Sequence, residues 1–181
     1  MNQNAEMKQE KQPGHNVMRE PSIEKMVIHC GGIDDKLERS VKLLEKMTKE
    51  KVFIKKSTKR IPDFGISPGK KSGCKVTIRD KEKITQFLRR FFSAIDNKLS
   101  GRAFTENQLC FGIKEYIEVP GLEYDRDIGI LGFEVMLVFK RAGKRVNLRK
   151  RKAGKFPHRQ QVTPQEIKEF MIKHFKVRVG K

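Results

Sequence analysis

Between Cys74 and Ile95 the hydrophobic pattern changes period once, from two to about 3.6, and this switch constrains the fold more than any other feature of the chain. In Cys74–Arg79 (CKVTIR), Val76 and Ile78 fall on one face while Lys75, Thr77 and Arg79 fall on the other, as in a strand with one covered face. Asp80 then stands where it can cap a helix, and Ile84, Phe87, Leu88, Phe91 and Ile95 recur at helical spacing. A strand with one apolar face, joined without a linker to a helix with one apolar stripe, is stable when the two apolar surfaces pack together. The strand's other face is then left open.

The same logic extends along the chain. Ile23–Cys30 (IEKMVIHC) reads as a strand with Met26, Ile28 and Cys30 on one face and Lys25, Val27 and His29 on the other, ended by Gly31-Gly32. Asp34 or Asp35 is the expected cap of a helix carrying Leu37, Val41, Leu44 and Met47 to near Thr48. A short strand over Val52–Lys56 follows, and further strands are expected over Leu109–Val119 and Gly132–Lys140, separated by a turn region at Pro120–Gly129. Thr163-Pro164-Gln165-Glu166 is a capping box with proline at the first helical position; Ile167, Phe170, Met171 and His174 form the expected buried stripe. The order β-α-β-β-α-β-β-α predicts an α+β fold, a mostly antiparallel sheet with helices packed on one face. There is no internal repeat and no dividing linker. Residues 1–17, rich in Gln, Asn and Lys, read as a disordered lead, and 18–181 as a single domain.

Charge narrows the function. The 41 Lys and Arg against 22 Asp and Glu leave a net charge of +19. The stretch Lys140–Arg159 (KRAGKRVNLRKRKAGKFPHR) carries ten of those cations and no carboxylate. Such a run repels itself unless a polyanion lies against it, and phosphate neutralisation with counterion release makes nucleic acid the natural partner. Candidate RNA contacts are Lys25, His29, Lys75, Thr77 and Arg79 on the open sheet face. The run adds Arg141, Lys144, Arg145, Arg149, Lys150, Arg151, Lys152, His158 and Arg159. A Pro- and Gly-rich loop, Ser57–Lys71, with Lys59, Arg60, Lys70 and Lys71 around Phe64, reads as a loop that is ordered by itself or on binding a ligand.

Signals for chemistry are thin. No GxxxxGK[ST], GxGxxG, GxSxG or HExxH motif occurs, so neither a nucleotide loop nor a hydrolase centre is expected. Cys30, Cys74 and Cys110 are widely spaced, which suits buried thiols in a reducing compartment better than a disulfide scaffold or zinc site. The acidic group Glu115, Glu118, Glu123, Asp125 and Asp127 is the one place for metal or acid–base work, but reads first as partners for nearby Lys and Arg or as a face for a basic protein partner. No cofactor is expected. The first sixteen residues hold no apolar block and the longest apolar run, Val135–Phe139, is far too short for a bilayer, so a soluble intracellular protein with no membrane partner is expected. Two rival readings stand beside an RNA-binding structural protein: an RNA-modifying or nucleolytic enzyme built on the acidic group, and a general DNA- or chromatin-binding basic protein.

Several segments taken together resemble one family. They are Asn16–Glu20 running into IEKMVIHCGG, then DFGI (Asp63–Ile66), CKVTIRD (Cys74–Asp80), FGIKEYIEVPGLEYD (Phe111–Asp125) and IGILGFEV (Ile128–Val135). The basic run with His158-Arg159 and the TPQE helix completes the series. In this order they resemble the universal large-subunit ribosomal protein family five, numbered eleven in eukaryotic naming, from about residue 16 onward. The resemblance implies a protein that binds 5S ribosomal RNA in the central protuberance, its open sheet face on the RNA and Met18-Arg19 at the sheet edge. It implies a loop, with Lys59, Arg60, Phe64, Gly65, Ser67, Lys70 and Lys71, reaching toward peptidyl-site tRNA. Further implied partners are large-subunit rRNA, the other 5S-binding large-subunit protein and a small-subunit head protein. The implied location is the cytoplasmic ribosome, or the nucleolus during assembly if the source is eukaryotic. The basic extension matches archaeal and eukaryotic members. Two positions depart from the pattern: SPGKK follows DFGI where many relatives carry more Arg, and His29 is often Asn in relatives.

Overall fold

The computed structural model describes residues 16–180; most of the expected disordered lead, residues 1–15, lies outside them. Strand β1 (Ser22–Gly31) is central, paired antiparallel with β3 (Lys71–Ile78) on one side and β7 (Phe133–Lys140) on the other. Beyond β3 lies β2 (Phe53–Lys56). Beyond β7 lie β6 (Gln108–Ile113) and the two-residue β5 (Phe104–Thr105), giving one six-stranded antiparallel sheet in the order β2-β3-β1-β7-β6-β5. A separate pair, β4 (Lys98–Ser100) with β8 (Arg178–Gly180), is parallel.

Register explains the core. Met26 faces Ile78 and Leu137 across the ladders, Ile28 faces Val76 and Val135, and Cys30 faces Cys74. All are buried, because side chains paired directly across neighbouring strands share one face. Helices α1 (Asp35–Thr48), α2 (Lys81–Ala94) and α4 (Pro164–Phe175) supply the other wall with Leu37, Leu43, Leu44, Ile84, Leu88, Phe91, Phe92, Ile167 and Met171. Phe91 meets Phe133 edge-on at 5.4 Å, and Phe92 lies 5.4 Å from Phe111, which ties α2 to the sheet. Burying one such ring stabilises the fold by about 1.5–3 kcal/mol. The α+β architecture with an antiparallel sheet is therefore as the periodicity predicted.

Several local expectations hold and others are corrected. Asp80 caps α2 by accepting the Glu82 N–H at 3.1 Å. The capping box at α4 is complete: the Thr163 hydroxyl accepts the Glu166 N–H, and a Glu166 carboxylate oxygen accepts the Thr163 N–H at 2.9 Å. Asp34 sits at the start of α1 but makes no capping bond; its carboxylate turns away to Lys70 Nζ, 3.0 Å distant. The expected strand Leu109–Val119 ends at Ile113, because the fully buried Tyr116 pulls the chain into a 3-10 turn (Tyr116–Glu118). There its hydroxyl accepts the Asp125 N–H at 2.8 Å. His174 is exposed instead of buried, stacked 4.4 Å from the half-buried Phe170 ring. Arg79 lies one residue past the end of β3.

Candidate nucleic-acid interface

Alternation along the central strands places one set of side chains on the uncovered side of the sheet. His29 pairs across the ladder with Lys75 and Val27 with Thr77, so these four share that side with Lys25. The other neighbour contributes Glu134, Met136 and Val138, in register with His29, Val27 and Lys25. Phe53 of β2 lies opposite Lys75, whose ammonium stands 5.4 Å from its ring centre. The face is thus a mixed surface and not a uniformly basic one. Two lysines and a histidine surround a middle of Val27, Thr77, Met136 and Val138, and Glu134 Oε2 lies 3.9 Å from His29 Nδ1. Glu134, Met136, Val138 and Phe53 are the members that sequence reasoning missed. The alternation of β7 carries the signal, hidden because its outward residues are mostly not cationic. Such a surface can offer a few phosphate contacts around an apolar strip that packs on sugar and base.

The basic run forms a second region. It leaves β7 at Lys140 and makes one helical turn, α3 (Arg145–Leu148). It then passes through exposed Arg149, Lys150, Arg151 and Lys152 and ends in a 3-10 turn at His158–Gln160. Met18 and Arg19, on the 3-10 turn Val17–Arg19, line one cleft of about 800 Å³ together with His158 and Arg159. The structure thereby joins residues nearly 140 positions apart in sequence. Two cations of the run are turned inward. Arg141 is only 9% exposed and pairs with Glu166, and Lys144 Nζ lies 2.6 Å from Glu24 Oε2. Arg141 is thereby held within the fold by Glu166. Burial pushes the Glu166 carboxyl up, but the Thr163 N–H and hydroxyl and the Arg141 guanidinium outweigh it and hold it below its ordinary value. Glu24 behaves alike, with burial overcome by Lys144, Lys140 and Lys25.

The loop between β2 and β3 is a third region. It folds on itself through paired backbone hydrogen bonds between Ile61 and Ile66 (2.9 and 3.1 Å) and between Ser57 and its returning strand. The tip is a 3-10 turn, Pro62–Phe64, closed by Gly65 at φ 62°, a left-handed conformation that suits glycine. It presents Phe64 at 69% exposure, with Lys59, Arg60, Ser67 and Lys71 exposed beside it. Lys70 is held back by Asp34.

Elsewhere the acidic group finds a partner, as Asp125 bonds Lys46 at 2.8 Å. Among the described residues no group of three or more His, Cys, Asp or Glu is placed to hold a metal ion. The Cys30 thiol is pushed far up by its hydrogen bond with Cys74 and by burial, so it remains a small apolar filler. No helix of the described residues is long and apolar enough to cross a membrane.

Comparison with known proteins agrees with this arrangement. The family described as the C-terminus of the ribosomal L5 proteins matches residues 71–174, and the one described as "Ribosomal protein L5" matches residues 16–66. The large ribosomal subunit protein uL5 of Methanosphaera stadtmanae is 36% identical over 167 residues, covering 91% of this chain and 99% of its own length. That of Pyrobaculum aerophilum is 37% identical over 169 residues, 92% of this chain and 93% of its own. That of Archaeoglobus fulgidus is 38% identical over 161 residues, 87% and 89% respectively. With two family matches that together run from the first described residue to the last helix, the chain belongs to the ribosomal protein L5 family.

Proposed function

We propose that this structural, non-enzymatic constituent of the large ribosomal subunit binds 5S ribosomal RNA through the uncovered sheet face and the adjoining basic run. In this reading it sits in the central protuberance beside large-subunit rRNA and the other 5S-binding protein. Its loop at Ser57–Lys71 reaches toward peptidyl-site tRNA, and a small-subunit head protein meets it across the subunit interface. The observation that carries the reading is the one-sided sheet: the buried apolar residues of its central strands, such as Met26, Ile28, Val76, Ile78, Val135 and Leu137, face the helices, and Lys25, His29, Lys75 and Thr77 are left together on the other side. A protein held only by its own core has no need of that bare, partly apolar surface; one that packs on a shaped RNA does.

The test is competition binding of 5S RNA against tRNA and duplex DNA over a salt series. Fitted contacts predict that 5S RNA keeps its advantage as salt rises, whereas charge acting alone predicts that all three polyanions weaken together. The second outcome overturns the reading and favours a general basic DNA binder.

A further inference from the structure

Strand β1 carries one residue more than its neighbour can match. Ile23 pairs with Phe139 and Lys25 with Val138, so Glu24 between them is left unpaired across the ladder to β7. An extra residue of this kind is a β-bulge, which bends its strand and re-aims the side chain it holds. Here the re-aimed group is a carboxylate, 21% exposed, whose Oε2 lies 2.6 Å from Lys144 Nζ, 120 positions away in sequence. Lys140 and Lys25 stand near enough to act on the same carboxylate.

Lys144 is where the basic run begins to fold. It immediately precedes α3, and past that turn the chain comes back on itself: the Gly154 N–H donates to the Val146 carbonyl at 3.2 Å. Arg149 Nε donates to the Lys152 carbonyl at 2.7 Å, so the exposed Arg149, Lys150, Arg151 and Lys152 form the tip of a closed loop. None of residues 142–161 belongs to the hydrophobic core. Without an apolar anchor, the direction of the loop rests on ion pairs at its root, Arg141 with Glu166 of α4 and Lys144 with Glu24 of β1. Glu166 also completes the α4 capping box. Glu24 therefore bears on the run more selectively.

We propose that Glu24 is a positioning residue for RNA binding: from the β1 bulge it holds Lys144 and so sets the direction in which Arg149–Lys152 meet phosphate. The inference rests on the RNA-binding reading above. A carboxylate on a basic surface ordinarily opposes a polyanion, so removing it tightens binding; removing one that orders the binding cations does the reverse. The test compares the full chain with Glu24→Gln, which keeps the shape of the side chain, and with the charge-swapped double variant Glu24→Lys, Lys144→Glu. Each is checked by thermal melting, then measured for 5S RNA affinity near physiological salt and for hydrogen exchange of the Val146 and Gly154 amides in the free protein. In Glu24→Gln both amides should exchange faster, and 5S affinity should fall roughly threefold despite the gain in positive charge, because the freed run spends less time in its binding geometry. The double variant, which re-forms the pair in reverse, should recover most of both. Binding by Glu24→Gln as tight as the parent's, or tighter, overturns the inference even if the run has loosened. A weakening that the double variant leaves in place also overturns it, since Glu24 then acts other than through Lys144. A parent that prefers 5S RNA to neither tRNA nor duplex DNA overturns the 5S reading instead; the positioning role then stands if Glu24→Gln loosens the run and weakens all three polyanions.

Discussion

Glu166 is the side chain on which most local structure depends. It neutralises a nearly buried guanidinium and completes the capping box of α4. Removing one partner of a buried pair leaves the other charge stranded, and Glu166's own 38% exposure moderates the cost. Glu166→Ala should therefore lose about 2–3 kcal/mol in urea unfolding. Acid should act on the same group. The folded pKa lies below the unfolded one, so the stabilisation is fully present above roughly pH 4.3 and is lost as pH falls through the folded value. The Tm gap between the parent and Glu166→Gln should then narrow on acidification; a constant gap down to pH 2 would refute the assignment. On the RNA side, Lys75 sits mid-strand against Phe53, whereas Arg79 is free of the sheet. Reversing both charges should weaken 5S RNA binding by roughly tenfold or more and flatten its salt dependence. Unchanged affinity near physiological salt would remove the sheet face from the interface.

Elements whose pattern spans several periods could be read from the sequence alone, and those defined by a distant partner could not. β1 and α2 repeat their apolar spacing over enough residues to name both faces. The caps of α2 and α4 could also be read, although the spacing carries the α4 stripe one position too far, to His174. β4 and β8 hold three residues each, about 80 positions apart, and only their mutual pairing makes them strands. The Tyr116 turn was invisible for a related reason: its β-like composition yields to burial of one ring and a hydrogen bond to Asp125. In the candidate interface the cations could be listed from sequence. Which of them turn inward depended on Glu24 and Glu166, far away in the chain. Gly132 is another position where a distant neighbour decides. A Cβ there would come within 2.5 Å of the Lys114 carbonyl oxygen and 2.8 Å of that of Ile113. Both are backbone atoms, which must shift to admit a side chain, so Gly132→Ala should cost roughly 1–3 kcal/mol, measured as a lower urea midpoint. The self-bonded loop between β2 and β3 contributes no residue to the core. Deleting Phe64–Pro68 should leave 5S binding intact and loosen the ribosome's hold on peptidyl-site tRNA; loss of RNA binding would show that the loop belongs to the 5S contact.

A net charge of +19 on one small domain makes the free protein a self-repelling object. Its Tm should rise between dilute buffer and about 0.3 M salt, as screening shortens the reach of that repulsion to well under 10 Å; a flat response would mean that internal ion pairs already offset it. Screening has a second effect, which begins at β2. That strand is outermost, four residues long, exposed throughout and bent by a register shift before Lys56. A bare strand edge is a template on which another copy can align. Lys55 and Lys56, with Lys51 just before them, make two such edges repel when they meet. Concentrated salt silences that guard, so the conditions that steady the individual molecule are also those in which neighbouring molecules begin to cohere.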